Sequence, residues 1–191
     1  MKLSQDQILA AAFALLEADG LDSFSMRKLA PTLNVQPPAL YWHVGGKAAL
    51  LSLMAGAIYA EARAAIPATT DWAGWLAHFG RELRRAFMAH RDSARLCAGA
   101  GPVIADSQAA ADAIAAPLIA LGLDRARAVS YQASVISLTL GWSLYAQSAA
   151  MHDFLYRLMD FEASFDTGLA AMIHGFASLP APIAAGEAAA I

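Results

Sequence analysis

The sequence predicts an all-α fold, and three observations support this prediction. Alanine, the residue with the highest helix propensity, occupies 47 of the 191 positions. Apolar side chains recur at three- and four-residue spacing, which indicates helices that each bury one face. No alternating or β-branched run bounded by turn residues predicts a strand.

Composition places the chain among compact globular proteins. Hydrophobic residues make up 58% of the sequence and charged residues only 15%, which excludes a disordered polypeptide. The single cysteine, Cys97, excludes a disulfide framework and a cysteine-based zinc site. The N-terminus carries an acidic residue within its first six positions and no apolar core before a cleavage site, so it does not predict a signal peptide. We expect one domain or two small ones in a soluble, cytoplasmic protein.

The first helix is predicted over residues 4–19. Ser4 and Gln7 form a capping box, in which each side chain satisfies a backbone N–H that the helix leaves free. The apolar residues that follow share one helical face. Gly20 then supplies a stop, because glycine adopts the left-handed backbone that ends many helices.

Two shorter helices follow and are joined by a tight turn, an arrangement typical of a helix-turn-helix. The second helix is predicted over residues 25–33, with Ser25 as its N-cap. Asn34 can take the left-handed conformation that ends it. The third helix is predicted over residues 37–43, since Pro37 suits a first turn.

Five longer helices are predicted in the rest of the chain, with the clearest breaks at residues 99–102 and 121–124. They cover residues 47–65, 71–90, 107–121, 124–150 and 162–178. Residues 128–152 contain no charged side chain, and 25 such positions can cross a bilayer. Polar residues recur there, however, so we favour a helix buried in the core or in a subunit interface over a membrane span.

The third helix carries three consecutive aromatic side chains with polar tips, Tyr41, Trp42 and His43. They cannot all face the core of a small three-helix unit, so some of them must face a partner. A recognition helix must be short and exposed to enter the DNA major groove, which is about 12 Å wide. Without the flanking motif, packing inside the unit would be the simpler interpretation.

Three segments closely resemble the tetracycline-repressor family of bacterial one-component regulators, most closely its tetracycline-repressor branch. They are Met26-Arg-Lys-Leu-Ala, Leu40-Tyr-Trp-His-Val and Lys47-Ala-Ala-Leu-Leu. The resemblance is specific over residues 4–65 and weaker beyond. It implies an N-terminal three-helix helix-turn-helix domain, a connecting helix, a larger helical effector-binding and dimerisation domain, and a flexible tail. These parts cover residues 1–47, 48–66, 67–179 and 180–191.

The resemblance also implies a homodimer, because two helices per subunit form a four-helix bundle in this family. The helices near 124–150 and 162–178 match these two. Small residues that allow close approach lie on them: Ser134, Ser137, Gly141, Ala171 and Gly175. Apolar anchors are expected at Phe165, Leu169, Met172 and Phe176.

DNA-binding roles follow from the resemblance, residue by residue. Arg27 matches the position that reads a guanine, and Lys28 beside it is a further cation. The positions that contact backbone phosphates are those of Ser25, Tyr41, His43 and Lys47.

The head of the recognition helix departs from the family pattern. Gln36, Pro37 and Ala39 occupy the positions that meet base edges, and the last two replace hydrogen-bonding side chains. They still offer apolar contact to thymine methyl groups. Pro31 removes one hydrogen bond from the second helix and can bend it. Trp42 is expected to pack within the domain rather than to touch DNA.

Charge in the N-terminal domain is balanced. Residues 1–47 contain four basic and four acidic side chains, so their net charge is zero. DNA-binding domains are usually basic, because phosphate contacts dominate affinity. We therefore expect modest non-specific binding to DNA.

The expected effector differs from that of the tetracycline-repressor branch. The family's drug site holds a magnesium–drug complex, and its metal-ligating histidine is replaced here by Cys97, a soft ligand unsuited to Mg²⁺. We expect no metal and no cofactor, and an apolar or aromatic effector oriented by Gln132. The other predicted pocket residues are Ala62, Phe79, Leu83, Ala100 and Pro102.

Two further clusters have structural interpretations. The arginines at 81, 84, 85 and 91 are expected to form a solvated face rather than a second nucleic-acid patch. Cys97 and His90 lack a third orienting group, so an inert buried thiol is favoured over a nucleophile.

The sequence therefore predicts a homodimeric regulator, by family a repressor, that binds palindromic operator DNA and is released by an effector. The alternative is a helical protein that sequesters a small molecule and carries a degenerate DNA-binding motif. The neutral N-terminal domain and the proline substitutions keep this alternative open. An enzyme is not expected, because no triad, metal cluster or phosphate loop is evident.

Overall fold

The computed structural model describes residues 3–101 and 107–179, and these form ten helices and no strand. The helices are α1 (Gln5–Ser23), α2 (Met26–Thr32), α3 (Pro37–Val44), α4 (Lys47–Ala64), α5 (Trp72–Ala89), α6 (Ser93–Gly99), α7 (Ser107–Ala120), α8 (Arg125–Gln147), α9 (Ala149–Leu158) and α10 (Phe161–Ser178). The all-α prediction is confirmed. Pro102 and the tail at 180–191 lie outside the described residues.

Two helices were not predicted. Helix α6 has only seven residues, which is too short to show a helical period, and it begins after Asp92 in a left-handed conformation (φ 54°). The predicted helix over 124–150 ends at Gln147 instead. Ser148 adopts extended backbone there, and α9 starts anew without a glycine or proline to mark the break.

The capping box that opens α1 is confirmed. The Gln7 N–H donates to Ser4 Oγ at 3.2 Å, and the Ser4 N–H donates to Gln7 Oε1 at 2.9 Å. The predicted stop at Gly20 is wrong in one respect, because α1 kinks there (φ 75°, ψ 169°) and continues to Ser23. The kink frees the Leu21 N–H, which donates to Asp92 Oδ2 at 2.9 Å.

The turn between α2 and α3 has the predicted geometry. Ser25 caps α2 by accepting from the Lys28 N–H at 3.3 Å, and Asn34 has a φ of 54°. Pro31 lies in the last turn, one residue before α2 ends, so the lost hydrogen bond falls where the helix is already finishing. Helix α3 begins at Pro37 as predicted.

Helix α5 is the centre of the larger unit and packs against α4, α8 and α10. At Gly80 an added Cβ would lie 2.8 Å from Leu169 Cδ2 and 3.2 Å from Val135 Cγ1, so α10 and α8 approach closely there. Helix α8 buries Val135 and Thr139 in this core. The α8 part of the uncharged stretch thus buries one face in the core and leaves the other exposed. No described helix has the length and apolarity to span a membrane.

Two of the predicted dimer anchors are misplaced. Phe165 and Leu169 are buried within their own chain, where α10 packs on α5, so they cannot serve as contacts between subunits. The small residues, by contrast, face outward. An added Cβ at Gly141, Gly168 or Gly175 would meet no atom of the described residues within 4 Å.

Arg84 does not belong to a solvated face. It is only 6% exposed, its Nη2 and Nε donate to the two oxygens of Glu162, and its guanidinium lies 4.8 Å from the centre of the Phe165 ring. Arg81 and Arg85 are exposed, as predicted. The pair tethers α5 to the start of α10, and the sequence could not reveal it because 78 positions separate the partners.

We predict that Glu162→Gln destabilises the protein at neutral pH and that this effect fades in acid. Burial raises the pKa of Glu162, but hydrogen bonds from Arg84 and Tyr156 and the charge of Arg84 outweigh it, so the pKa is lowered below 4.5. A carboxylate whose pKa is lower in the folded than in the unfolded protein stabilises the fold at pH values above its unfolded-state pKa. This stabilisation is lost as the pH falls through the folded-state pKa.

Because Glu162 is largely exposed, the expected difference in unfolding free energy at pH 7 is only about 1 kcal/mol. Urea unfolding at pH 7 and below pH 4 measures it. The exposed pair of Arg81 with Asp166 supplies the control, since Asp166→Asn should change stability by less than about 0.5 kcal/mol. A Glu162→Gln difference that is the same at both pH values would contradict the prediction.

We also predict that Gly20→Ala lowers the free energy of unfolding by about 2 kcal/mol. The backbone angles of Gly20 (φ 75°, ψ 169°) are accessible essentially to glycine alone. An added Cβ would also meet Arg91 Nη2 and Asp92 Oδ2 at 3.1 Å. Gly56→Ala is the matched control, since it lies in α4 with nothing within 4 Å and should stabilise by about 0.5–1 kcal/mol. Urea unfolding measures the free energy of unfolding of both variants. An unchanged free energy for Gly20→Ala would contradict the prediction.

Candidate nucleic-acid interface and ligand site

Helix α3 presents its aromatic residues to the outside. Leu40 and Val44 are buried and anchor the helix, while Tyr41 is 48% exposed and His43 is also exposed. Trp42 is 91% exposed, so the expectation that it packs within the domain is wrong. Two residues correspond to about 200° around a helix, so a buried Leu40 directs Trp42 away from the core. That signal was available in the sequence.

The residues expected to read base edges are at least partly accessible. Gln36 occupies the N-cap position of α3 but makes no side-chain capping bond, so its amide is free for another partner. Pro37 is half-buried at the first helical position, and Ala39 is exposed. Arg27 on α2 is exposed and has no ion pair or hydrogen bond from its side chain within 3–101 and 107–179.

The side chains of Lys28, Lys47 and Ser25, which were predicted to bind DNA, each have a partner within the domain. Lys28 Nζ lies 2.6 Å from Asp19 Oδ2, and Lys47 Nζ donates to the Phe24 carbonyl at 2.7 Å. The Ser25 hydroxyl is occupied by its capping bond. An ammonium group has three donors, so both lysines retain capacity for a phosphate oxygen. Their role at a phosphate stays a prediction.

A cluster of hydrogen bonds joins the end of α1 to the corner between α5 and α6. Asp92 accepts from the Leu21 N–H, and Arg91 Nη1 donates to two carbonyls of α1 at 3.0 and 3.1 Å. Arg95 Nη2 lies 2.7 Å from Asp22 Oδ1, and this hydrogen bond and the charge of Arg95 lower the pKa of Asp22. We call Arg91, Asp92 and Arg95 the α1–α6 clamp. Sequence reasoning missed the clamp, since its partners lie about 70 positions apart.

The predicted pocket residues lie on α4, α5, α6 and α8, helices that pack against one another, and just after α6. The buried members are Ala62, Phe79, Leu83, Cys97 and Gln132, and Ala100 is half-buried after α6. A surface groove of about 440 Å³ lies on the opposite face of α5, lined by Arg84 and Met88 among others. The groove and the predicted ligand site are therefore different places.

Gln132 is the unusual member of this set. It is fully buried, and neither its amide oxygen nor its amide nitrogen has a partner among the described residues. Gln147, about four turns further along α8, satisfies its amide through Phe87 O at 2.8 Å and the Ala94 N–H at 3.3 Å. An unsatisfied buried amide costs about 1–3 kcal/mol, so its presence requires an explanation.

Cys97 is an inert thiol, as predicted. It is buried, and burial raises its pKa to about 12, so almost none of it is thiolate at neutral pH. His90 is engaged elsewhere, with Nε2 lying 3.3 Å from Glu61 Oε2 and its ring against Phe13. The two side chains do not form a nucleophilic pair.

Two family profiles match the chain. A profile described as bacterial regulatory proteins, tetR family, covers residues 8–54, which include α2 and α3. A second, described as tetracyclin repressor-like, C-terminal domain, covers residues 66–154.

Characterised relatives and solved structures extend over most of the chain. The tetracycline repressor protein class A from transposon 1721 of Escherichia coli is 34% identical over 198 residues, covering 92% of this chain and 91% of that protein. A variant of TetR from Acinetobacter baumannii AYE, solved with minocycline, has a TM-score of 0.75 at 36% identity and covers 92% and 97%. The Streptomyces coelicolor TetR family protein ActR, solved with (S)-DNPA, has a TM-score of 0.76 at 27% identity and covers 93% and 98%.

We predict that Trp42→Ala leaves the folded state as stable as the wild type, with a change within about 0.5 kcal/mol, because the side chain is almost fully exposed. Leu40→Ala in the same helix should cost about 2–5 kcal/mol, since Leu40 is fully buried. Urea unfolding compares the two. A large loss for Trp42→Ala would mean that the ring packs against the domain after all.

Proposed function

The chain belongs to the tetR family of bacterial regulatory proteins and is a transcriptional regulator, and we propose that it is a repressor that binds palindromic operator DNA as a homodimer. A small, largely apolar effector would release it. Members of this family bind operator DNA and small-molecule effectors, typically as dimers. The observation that carries the proposal is the exposed α3, which keeps Gln36, Tyr41 and His43 available beside Arg27.

Operator recognition would rest on few base contacts. Arg27 is the group suited to a bidentate bond with guanine, and the Gln36 amide suits adenine. Pro37 and Ala39 offer only apolar contact, so thymine methyl groups are their natural partners. The exposed Trp42 ring extends the same surface and adds an apolar contact that the sequence did not predict.

The dimer would form through α8 and α10. Their outward faces carry Gly141, Gly168 and Gly175, where nothing in the described part of the chain approaches the Cβ position. Helices that present small residues can approach each other closely. Phe165 and Leu169 hold α10 in place from inside the chain, and the contact between subunits falls to the small residues.

The effector would bind among Ala62, Phe79, Leu83 and Cys97. These four side chains supply no carboxylate or imidazole ligand for a magnesium complex, so we propose an apolar molecule without metal. Gln132 supports the location, because its unpaired amide supplies the polar group that orients a ligand in an apolar site. Two solved relatives are complexes with small organic molecules, minocycline and (S)-DNPA, and this supports a small-molecule effector.

The effector would act on DNA binding through two connections. Helix α4 runs from the helix-turn-helix at Lys47 to the pocket at Ala62, and the α1–α6 clamp joins α1 to the helix that carries Cys97. An effector shifts operator affinity only by its differential affinity for the two arrangements. We keep the proposed division into a DNA-binding domain at 1–47, a connecting helix at 48–66 and an effector domain at 67–179.

A sequestering protein is the second candidate, and two observations favour it. The net charge of residues 1–47 is zero, and Lys28 and Lys47 are engaged within the domain. In either case we propose a cytoplasmic protein without catalytic activity, since the family consists of regulators.

Selection of bound duplexes from a random pool by the full-length protein tests the proposal. We expect a palindrome with half-sites about one helical turn apart. Arg27→Ala should weaken binding to that duplex by about 10–100-fold and relax the preference for the contacted base pair. Fluorescence anisotropy at fixed salt measures both.

Arg81→Ala is the matched control, since Arg81 is an exposed arginine on α5, distant from α3 in the chain, and should leave operator affinity unchanged. Failure to enrich any palindrome, with ligand binding intact, would support the sequestering protein instead.

A further inference from the structure

Arg63 carries a charge without a counter-charge. It lies in the last turn of α4, its Nε is buried without a hydrogen-bond partner, and no carboxylate of the described residues pairs with its guanidinium. Arg84 offers the comparison, because it is more deeply buried than Arg63 but binds both oxygens of Glu162. A buried donor left unpaired is costly, so the chain retains an arginine here at a loss of stability.

Burial lowers the pKa of Arg63 but does not remove its charge, because a guanidinium stays protonated in proteins. The half-buried position also restricts contact with water, which strengthens any interaction with an anion that reaches it. Arginine presents planar pairs of N–H donors that match a carboxylate or a similar oxyanion.

The surroundings of Arg63 belong to the proposed effector site. Ala62 precedes it in α4, and Tyr59 is its i−4 neighbour on the same helix face. The Tyr59 ring packs edge-on against Phe87 at 6.2 Å, and its hydroxyl has no hydrogen bond in the parts of the chain described. Burial raises the pKa of Tyr59, and Cys97 of α6 is close enough to contribute. A phenol donor and a guanidinium therefore stand side by side at one edge of an apolar site.

We propose that Arg63 binds an acidic group of the effector, with the Tyr59 hydroxyl as a second donor. The effector would then be an organic acid whose apolar body lies in the core near Phe79 and Leu83. This inference rests on the proposed function and specifies the chemistry of its effector. Arg63 has no counterpart among the residues that the sequence predicted for the site.

Two fluorescent probes that share one ring frame test the proposal. N-phenyl-1-naphthylamine is neutral, and 8-anilinonaphthalene-1-sulfonate adds one sulfonate to the same frame. We expect the full-length wild type to bind both with one site per chain, the sulfonate more tightly, and the sulfonate to displace the neutral probe. Arg63→Met should weaken sulfonate binding at least 10-fold and change neutral-probe binding less than 2-fold, while Arg63→Lys restores part of the loss.

Arg81→Met is the control, since it removes an exposed arginine from the opposite face of α5 and should affect neither probe. The proposal is overturned if Arg63→Met leaves sulfonate binding unchanged or weakens both probes equally. If the wild type binds the neutral probe as tightly as the sulfonate, the proposed role of Arg63 is overturned, but the proposed effector pocket is not. A wild type that binds neither probe contradicts the effector pocket itself, so the two failures are distinct.

The apo protein supplies an independent measurement. Removing an unpaired, partly buried cation should raise the melting temperature of Arg63→Met by about 2–4 °C. Circular dichroism confirms that the variant is folded. A lower melting temperature would show that Arg63 has a structural role and would contradict the proposal.

Discussion

The close packing around α5 is the constraint on which the larger unit depends. Gly80 lets Leu169 and Val135 approach to distances that any side chain would block, so α10 and α8 lie directly against this helix. This packing covers one face of α8, which carries no charged residue from position 128 onward, while residues such as Ser137 on its other face stay exposed. Arg84 lies at the same seam, and it can be buried there only because Glu162 supplies both oxygens of a counter-charge.

The two faces of α5 carry different kinds of side chain. One face is apolar, buries Phe79 and Leu83, and meets α4, α6 and α8, the last of which carries the unpaired amide of Gln132. The other carries Arg81, Arg84 and Arg85 toward α10 and the surface groove. Unsatisfied polar atoms occur on both sides, and the α1–α6 clamp holds the start of α6, the helix that also carries Cys97. A ligand bound there is therefore one helix away from the DNA-binding unit.

Local signals determined how much could be predicted from the sequence. Helices with capping residues and long apolar periods, such as α1 with Ser4 and Gln7, were predicted well, and Asn34 marked the turn of the motif. Helix α6 was missed because seven residues show no period. The pairing of Arg84 and the clamp depend on residues far apart in the chain, which no local pattern reveals. Gln132 was recognised as a polar residue in an apolar stretch, but only the packed structure shows that its amide lacks a partner.

The engagement of Lys28 with Asp19 and of Lys47 with Phe24 has a consequence for how such a regulator searches a genome. Proteins with many unpaired basic side chains spend most of their time on unrelated DNA and slide along it. The release of counterions favours their binding to phosphates of any sequence. A domain whose net charge is zero and whose lysines each already hold one internal partner gains less from that release. It would reach its site by repeated collisions from solution, and the number of free copies in the cell would set its occupancy. Such a protein depends less on competition from bulk chromosome and more on its own abundance.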